Sequence, residues 1–263
     1  MDVKEAAIYI ARKAGELLKE NLGKVETVEY KGAVDLVTDV DRKSETLIVN
    51  SIKERFPDHD ILTEEGEDKT SGSPCRWIID PLDGTTNYAH GYPVFCVSIG
   101  FEQEGELKLG VVYDPMLDEL FVAEKGKGAY LNGRRIRVSS TPTLDKSLLA
   151  TGFPYDLRTS KENNLNHFSN FALRAQAIRR AGSAALDLCY VGCGRFDGFW
   201  ELKLKPWDVA AGSLVVSEAG GRLTDFKNAP FSIYGYEVIA SNGLIHEEMV
   251  EVVNLKTLMT PQG

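Results

Sequence analysis

The chain has 263 residues, 43% hydrophobic and 26% charged, with a formal net charge of −9; such a chain can bury a sizeable core without disulfide staples. The acidic surplus argues against a nucleic-acid binder, whose affinity rests on cationic contacts to phosphate, and no apolar run approaches the roughly 20 residues of a membrane span. Asp2, Lys4, Glu5, Arg12 and Lys13 interrupt the apolar residues of the N-terminus, so it reads as an amphipathic helix rather than a secretion signal, which predicts a cytoplasmic protein.

Ile8, Ala11, Ala14, Leu17, Leu18 and Leu22 recur at helical spacing, and Gly23 suits the stop. A second helix is predicted over 41–55, with Leu47, Ile48, Ile52 and Phe56 as its apolar stripe and Pro57 at its end. Residues 61–63 and 76–79 read as short buried strands, each running straight into carboxylates: Glu64-Glu65 after the first, Asp80 after the second. Strand-like runs at 94–101, 107–113 and 119–123, separated by turn clusters such as Glu104-Gly105 and 125–128, predict an antiparallel meander. Residues 1–143 are thus read as an α+β half, two helices against an antiparallel sheet.

Strands are predicted next at 148–151, 176–180, 196–202 and 236–240, alternating with helices at 162–174, 183–191, 208–219 and from about Leu244. That rhythm predicts an α/β half over 144–263, its mixed or parallel sheet covered by helices. The linker at 139–143 is short, so the two halves are expected to pack as one α/β unit. The four cysteines form no C-x-x-C pair and read as buried, reduced thiols.

The segment Asp80-Pro81-Leu82-Asp83-Gly84-Thr85-Thr86 follows a strand and opens a short predicted helix. A strand end carries Asp80 to a sheet edge, where ligands bind. Gly84 removes a side chain where a ligand approaches the backbone, and the N–H groups of Gly84 and Thr85 would face an anion from a helix N-terminus. Two carboxylates beside such donors suit a divalent cation and a phosphate bound together, and hard oxygen ligands without a histidine cluster favour Mg2+ over zinc. Alone, the segment reads equally well as an acidic turn with capping carboxylates. Glu64-Glu65 alone would be solvated surface. The alternating acids Asp35, Asp39 and Asp41 equally suit an exposed strand and helix cap, and Asp208, after Pro206-Trp207, equally suits an N-cap.

Taken together, Asp41, Glu64, residues 80–85, Gly182-Ser183-Ala184-Ala185 and Trp207-Asp208 resemble the inositol monophosphatase family of lithium-sensitive, Mg2+-dependent sugar phosphatases. Residues 77–87 are similar to that family's first signature, and residues 205–212, continuing through Glu218-Ala219-Gly220-Gly221, to its second. The resemblance implies a layered αβαβα sandwich and a homodimer. It implies one Mg2+ on Glu64, Asp80 and the carbonyl of Leu82, with Thr85 nearby, a second on Asp80, Asp83 and Asp208, and a weaker third that shares Glu64. It implies that Thr85 orients the attacking water with Asp41 behind it as proton acceptor, and that Gly84 and Thr85 hold the phosphate. Asp83, Gly182, Ser183, Ala184, Glu201 and Asp208 are expected around the substrate. Arg179 is expected at a second phosphate or in the dimer interface, and Lys31 either near the site or on the solvated surface.

The expected reaction is hydrolysis of myo-inositol 1-phosphate by water. Fructose-1,6-bisphosphatase or dual activity is the alternative within the family. A D-x-D-G-T phosphatase, which forms an aspartyl-phosphate, is disfavoured because Asp80 and Asp83 stand one residue further apart. The alternative of another class is a regulatory partner in a transcription or RNA complex, served by Arg134, Arg135, Arg137, Arg174, Arg179 and Arg180. The four histidines are scattered and read as structural or surface residues.

Overall fold

A computed structural model describes residues 2–24, 28–30, 36–64, 66 and 71–255. The first apolar stripe forms α1 (Val3–Asn21), closed at its start by a capping box in which Asp2 and Glu5 accept each other's backbone N–H. A hairpin of β1 (Val28–Tyr30) and β2 (Leu36–Thr38) leads into α2 (Asp39–Arg55), which is capped by Thr38. Then come β3 (Asp60–Thr63), β4 (Cys75–Asp83), the short α3 (Thr85–Ala89), β5 (Cys96–Gln103), β6 (Glu106–Asp114), β7 (Glu119–Glu124), β8 (Gly128–Leu131) and β9 (Arg134–Arg135). The strands form one seven-stranded sheet in chain order, antiparallel throughout except for the parallel pair β3–β4.

A second sheet contains β10 (Leu148–Thr151), β11 (Ala177–Arg179), β12 (Gly198–Leu202), β13 (Arg222–Thr224) and β14 (Glu237–Ser241) in the order β11-β10-β12-β14-β13. It is mixed: β10 runs parallel to β11 and β12, and β14 antiparallel to β12 and β13. Its helices are α4 (Leu165–Ala172), α5 (Ala184–Gly192), α6 (Pro206–Glu218) and α7 (His246–Val253).

Four apolar cores separate five layers. Ile10 and Ile48 of α1 and α2 pack on Trp77 and Ile79 of the first sheet. Cys189 and Val215 of α5 and α6 meet Val112 and Phe121 on that sheet's other face. Leu188 and Val216 of the same two helices meet Phe199 and Val238 of the second sheet, whose outer face carries Phe171 and Met249 of α4 and α7 against Trp200 and Ile239. The stacking is the αβαβα order implied by the resemblance.

Strand alternation then assigns the polar side chains. On β4, Trp77 and Ile79 enter the core under α1 and α2, so Ile78 and Asp80 face the central helices. On β12, Phe199 faces the central helices and Trp200 faces outward, so Glu201 points inward with Phe199. A floor of glycine brings α6 close: a Cβ on Gly110 would stand 2.6 Å from the Ala211 carbonyl oxygen, and one on Gly100 would stand 2.9 Å from the Ala210 Cβ.

Of the element boundaries that differ from the sequence expectation, three bear on the site. The helix expected over 162–174 is only Leu165–Ala172, because Asn164 is left-handed (φ 72°) and its side chain ties down Thr151, Gly152 and Trp200. The strand expected over 76–79 runs on through Pro81 to Asp83. Helix α6 starts at Pro206, so Asp208 is its third residue rather than its cap, and accepts from the Lys205 N–H at 2.7 Å.

Candidate active site

The turn after β4 is braced from two sides. The Ser44 hydroxyl of α2 donates to the Pro81 carbonyl at 2.8 Å. Gly84 has a φ of 98°, and a Cβ there would stand 2.8 Å from the Val94 carbonyl oxygen, so only glycine lets the chain enter α3. Asn87 of α3 donates to the Val94 carbonyl at 2.7 Å and to the Ala181 carbonyl at 2.8 Å, which ties this turn to the loop preceding α5.

Within the turn, the buried Thr85 hydroxyl lies 3.0 Å from Asp41 Oδ1 and 3.0 Å from the Leu82 carbonyl oxygen. Its single proton serves one of them at a time. Asp41 is fully buried, and its Oδ2 accepts from the Thr38 N–H at 2.9 Å and from the Thr38 hydroxyl. Burial pushes the Asp41 carboxyl up, against the opposing pull of these hydrogen bonds.

Beside this turn a cleft of about 480 Å³ opens between the end of β4 and the starts of α5 and α6. Seven carboxyl side chains line it, and four of them come from around the turn and the start of α6: Glu64 after β3, Asp80 and Asp83 on β4, and Asp208 on α6. Asp80 Oδ1 accepts from the Leu82 N–H at 3.0 Å, and Asp83 Oδ2 from the Ser183 hydroxyl at 2.6 Å and the Ala185 N–H at 2.8 Å. Burial raises the Asp80 carboxyl well above its ordinary range, and the charges of Glu64, Asp83 and Asp208 raise it further. Burial likewise raises Asp83, and burial with Asp83's charge raises Asp208 well above its ordinary range. Among the described residues these acids do not close into a ligating cluster of three; Asp80, Asp83 and Asp208 are held by protein donors. A cleft of mutually repelling carboxyl groups with a nearby main-chain carbonyl and no histidine suits a hard divalent cation such as Mg2+.

Gly182, Ser183, Ala184 and Glu201 line the same cleft. Ser183 caps α5: its hydroxyl accepts from the Leu186 N–H at 3.3 Å while donating to Asp83. Glu201 is backed by Gly152, where any Cβ would collide with Oε1. Burial pushes the Glu201 carboxyl up to about 8, with Arg180 opposing the rise and Asp83 adding to it.

Arg179 is not brought to the cleft. It is exposed at the end of β11, and its guanidinium donates to the Ile178 carbonyl at 3.1 Å. Its neighbour Arg180 lines the cleft instead, because consecutive residues of an extended chain face opposite ways. Asp41 does not line the cleft either and reaches it through Thr85. Lys31, Asp35 and Glu65 lie outside the described residues. Gly152 and Asp187 escaped the sequence expectation, and Arg180 and Asn87 entered it without a role in the cleft; Asp187 left a trace as a lone acid in the apolar run Ala184-Ala185-Leu186-Asp187-Leu188. Of the four cysteines, all free, Cys96 and Cys189 are buried and Cys75 and Cys193 are half-buried. His59 accepts from the Trp77 indole N–H at 3.0 Å and His246 sits between two hydroxyls, in structural roles.

The family profile of the inositol monophosphatases matches residues 1–257. The inositol-1-monophosphatase of Synechocystis sp. is 47% identical over 251 residues, covering 95% of this chain and 88% of the relative. The fructose-1,6-bisphosphatase/inositol-1-monophosphatase of Thermotoga maritima is 44% identical over 255 residues, 97% of this chain and 96% of the relative. The crystal structure of the extragenic suppressor protein suhB of Bartonella henselae superposes with a TM-score of 0.91 at 41% identity, covering 97% of this chain and 99% of that one.

Proposed function

The chain belongs to the inositol monophosphatase family, and from that footing we propose that it is a Mg2+-dependent phosphomonoesterase that hydrolyses myo-inositol 1-phosphate to inositol and phosphate. The observation that carries this reading is the Thr85 hydroxyl, 3.0 Å from a fully buried Asp41 on one side and bordering the cleft lined by Glu64, Asp80, Asp83 and Asp208 on the other. In this reading Glu64, Asp80 and the Leu82 carbonyl hold one ion, and Asp80, Asp83 and Asp208 hold another, with Glu64 shared by a weaker third. Bound Mg2+ supplies charge to the phosphate and to the leaving oxygen and makes a water acidic enough to attack at neutral pH.

The chain's own groups do the rest. Thr85 Oγ1 receives the proton of the attacking water as its own proton passes to Asp41 Oδ1. The water oxygen forms its bond to phosphorus in line with the ester bond, which breaks with its electron pair on the departing ring oxygen. That oxygen takes a proton from solvent. The N–H groups of Gly84 and Thr85 hold phosphate oxygens, since first-turn donors have no acceptor within their helix. Gly182, Ser183 and Ala184, with Glu201 and Asp208, hold ring hydroxyls. A homodimer, lithium inhibition and a cytoplasmic location belong to the same reading; no helix of the described residues is long and apolar enough to cross a membrane.

Fructose-1,6-bisphosphatase or dual activity is the second reading, favoured by the Thermotoga relative and by Arg180, Lys203 and Lys205 along the cleft. A regulatory role in a transcription or RNA complex has the exposed Arg134 and Arg135 on its side. Turnover of inositol 1-phosphate and fructose 1,6-bisphosphate, with Mg2+ alone and with added Li+, tests all three. The proposal expects Mg2+-dependent, Li+-inhibited release of phosphate from inositol 1-phosphate, near-abolished by Asp83→Asn. Preference for the bisphosphate selects the second reading, and a folded protein inactive on both selects the third.

A further inference from the structure

Most buried aspartates that brace the loops are satisfied; Asp60 leaves only Oδ2 without a hydrogen bond, holding Ser71 through Oδ1 with Arg76 at 4.0 Å. Asp114 accepts from the Met116 and Leu117 N–H groups at 2.8 and 3.0 Å. Asp197 accepts from the Ser139 hydroxyl at 2.6 Å and the Leu148 N–H at 2.7 Å. Asp187 departs from this pattern. It stands in the first turn of α5, is 2% exposed, and lines the cleft, yet its Oδ1 is sealed from water and has no hydrogen-bond partner among the described residues. A purely structural acid in an apolar helix would have such a partner, because an orphaned buried oxygen is costly.

Its surroundings point to what it is for. Glu201, on the inward face of β12, and Arg180, at the start of the loop preceding α5, line the same cleft. Burial raises the Asp187 carboxyl well above its ordinary range, the charges of Glu201 and Asp83 add to the rise, and Arg180 opposes it. No hydrogen bond or ion pair joins Arg180 to either carboxyl among the described residues. Two carboxyl groups and one guanidinium thus share a space without closing on one another. Carboxylate oxygens are acceptors and can take hydrogen bonds from hydroxyls.

We propose that Asp187 is a specificity-determining residue, forming with Glu201 a two-carboxyl subsite for neighbouring hydroxyls of a polyol phosphate, with Arg180 as counter-charge. This rests on the phosphomonoesterase reading and adds recognition of the organic half of the substrate. Sites that hydrogen-bond a substrate hydroxyl discriminate strongly against analogues lacking it.

The test compares kcat/KM for myo-inositol 1-phosphate and for cyclohexyl phosphate, which has the same ring without hydroxyls. Wild type should prefer the inositol ester by at least tenfold. Asp187→Leu and the closer isostere Asp187→Asn should each cut that preference at least fivefold, chiefly through KM for the inositol ester. Asp187→Asn decides the matter should the leucine variant fail to fold. A wild type without the preference, or folded variants whose preference changes less than fivefold, overturns the inference while leaving the phosphatase reading intact. A wild type that hydrolyses neither ester overturns both.

Discussion

Replacing Asp80 with asparagine should give a protein that is more stable than the wild type and inactive. Asp80 is 1% exposed, and its hydrogen bond from the Leu82 N–H, 3.0 Å, can be accepted equally by an amide oxygen. What disappears is a charge that burial disfavours and that Glu64, Asp83 and Asp208 repel. Without metal, that charge or the proton neutralising it costs about 1 to 3 kcal/mol. At roughly 2 to 4 °C per kcal/mol, Asp80→Asn should raise the metal-free Tm by about 2 to 12 °C. The pH dependence has a definite sign. Asp80 titrates higher in the fold than in the unfolded chain, so its protonated form stabilises the fold fully only below the ordinary carboxyl pKa, and that stability is lost as pH rises. The advantage of Asp80→Asn should therefore be largest near pH 8 and fade towards about pH 4. Calorimetry in EDTA and in Mg2+ checks both parts. At a hundredfold excess over its Kd, Mg2+ should stabilise the wild type by about 2.7 kcal/mol, and the variant far less. A metal-free variant that melts at or below the wild-type temperature at pH 8 would refute the picture of carboxyl groups held against one another.

Thr85→Val keeps the shape and deletes the hydroxyl between Asp41 and the Leu82 carbonyl; steady-state kinetics should show kcat lower by about a hundredfold or more with KM little changed. Gly152→Ala drives a methyl group into Glu201 Oε1, so KM for inositol 1-phosphate should rise by about tenfold through displacement of the Glu201 side chain; an unchanged KM would show that Glu201 does not touch the substrate. His246, fully buried between the Thr224 hydroxyl at 2.9 Å and the Ser241 hydroxyl at 2.8 Å, is held by burial at a pKa of about 4. The unfolded chain takes up that proton nearer 6.5, so acidification from about pH 6.5 to 4 should remove on the order of 2 to 3 kcal/mol from the wild type. His246→Gln lacks this loss, and urea titrations of both proteins at the two ends of the window should show the gap between them narrowing.

Much of the site was legible along the chain because its acids sit where local patterns end. Asp80 and Glu64 follow buried strands, Asp83 and Gly84 mark the turn into α3, and Asp208 follows a proline that starts α6. Each pattern was ambiguous alone and specific in combination. Arg179 and Arg180 show the limit of that approach: two adjacent arginines look alike in sequence, and only the direction of β11 decides that Arg180 lines the cleft.

By itself, then, the sequence determined the alternation of helices and strands, the acid-rich turn 80–86 and the family pattern, because hydrophobic period, glycine and proline act on near neighbours. Only the tertiary structure decided which surfaces meet. It set Thr85 against Asp41, 44 residues away, and Asn87 against the Ala181 carbonyl. It also placed Asp187, Glu201 and Arg180 in one cleft. The reason is physical: periodicity says which side of an element is apolar, but which apolar sides pack together is settled by how five layers stack and how closely Gly100, Gly110 and Gly152 let their neighbours approach.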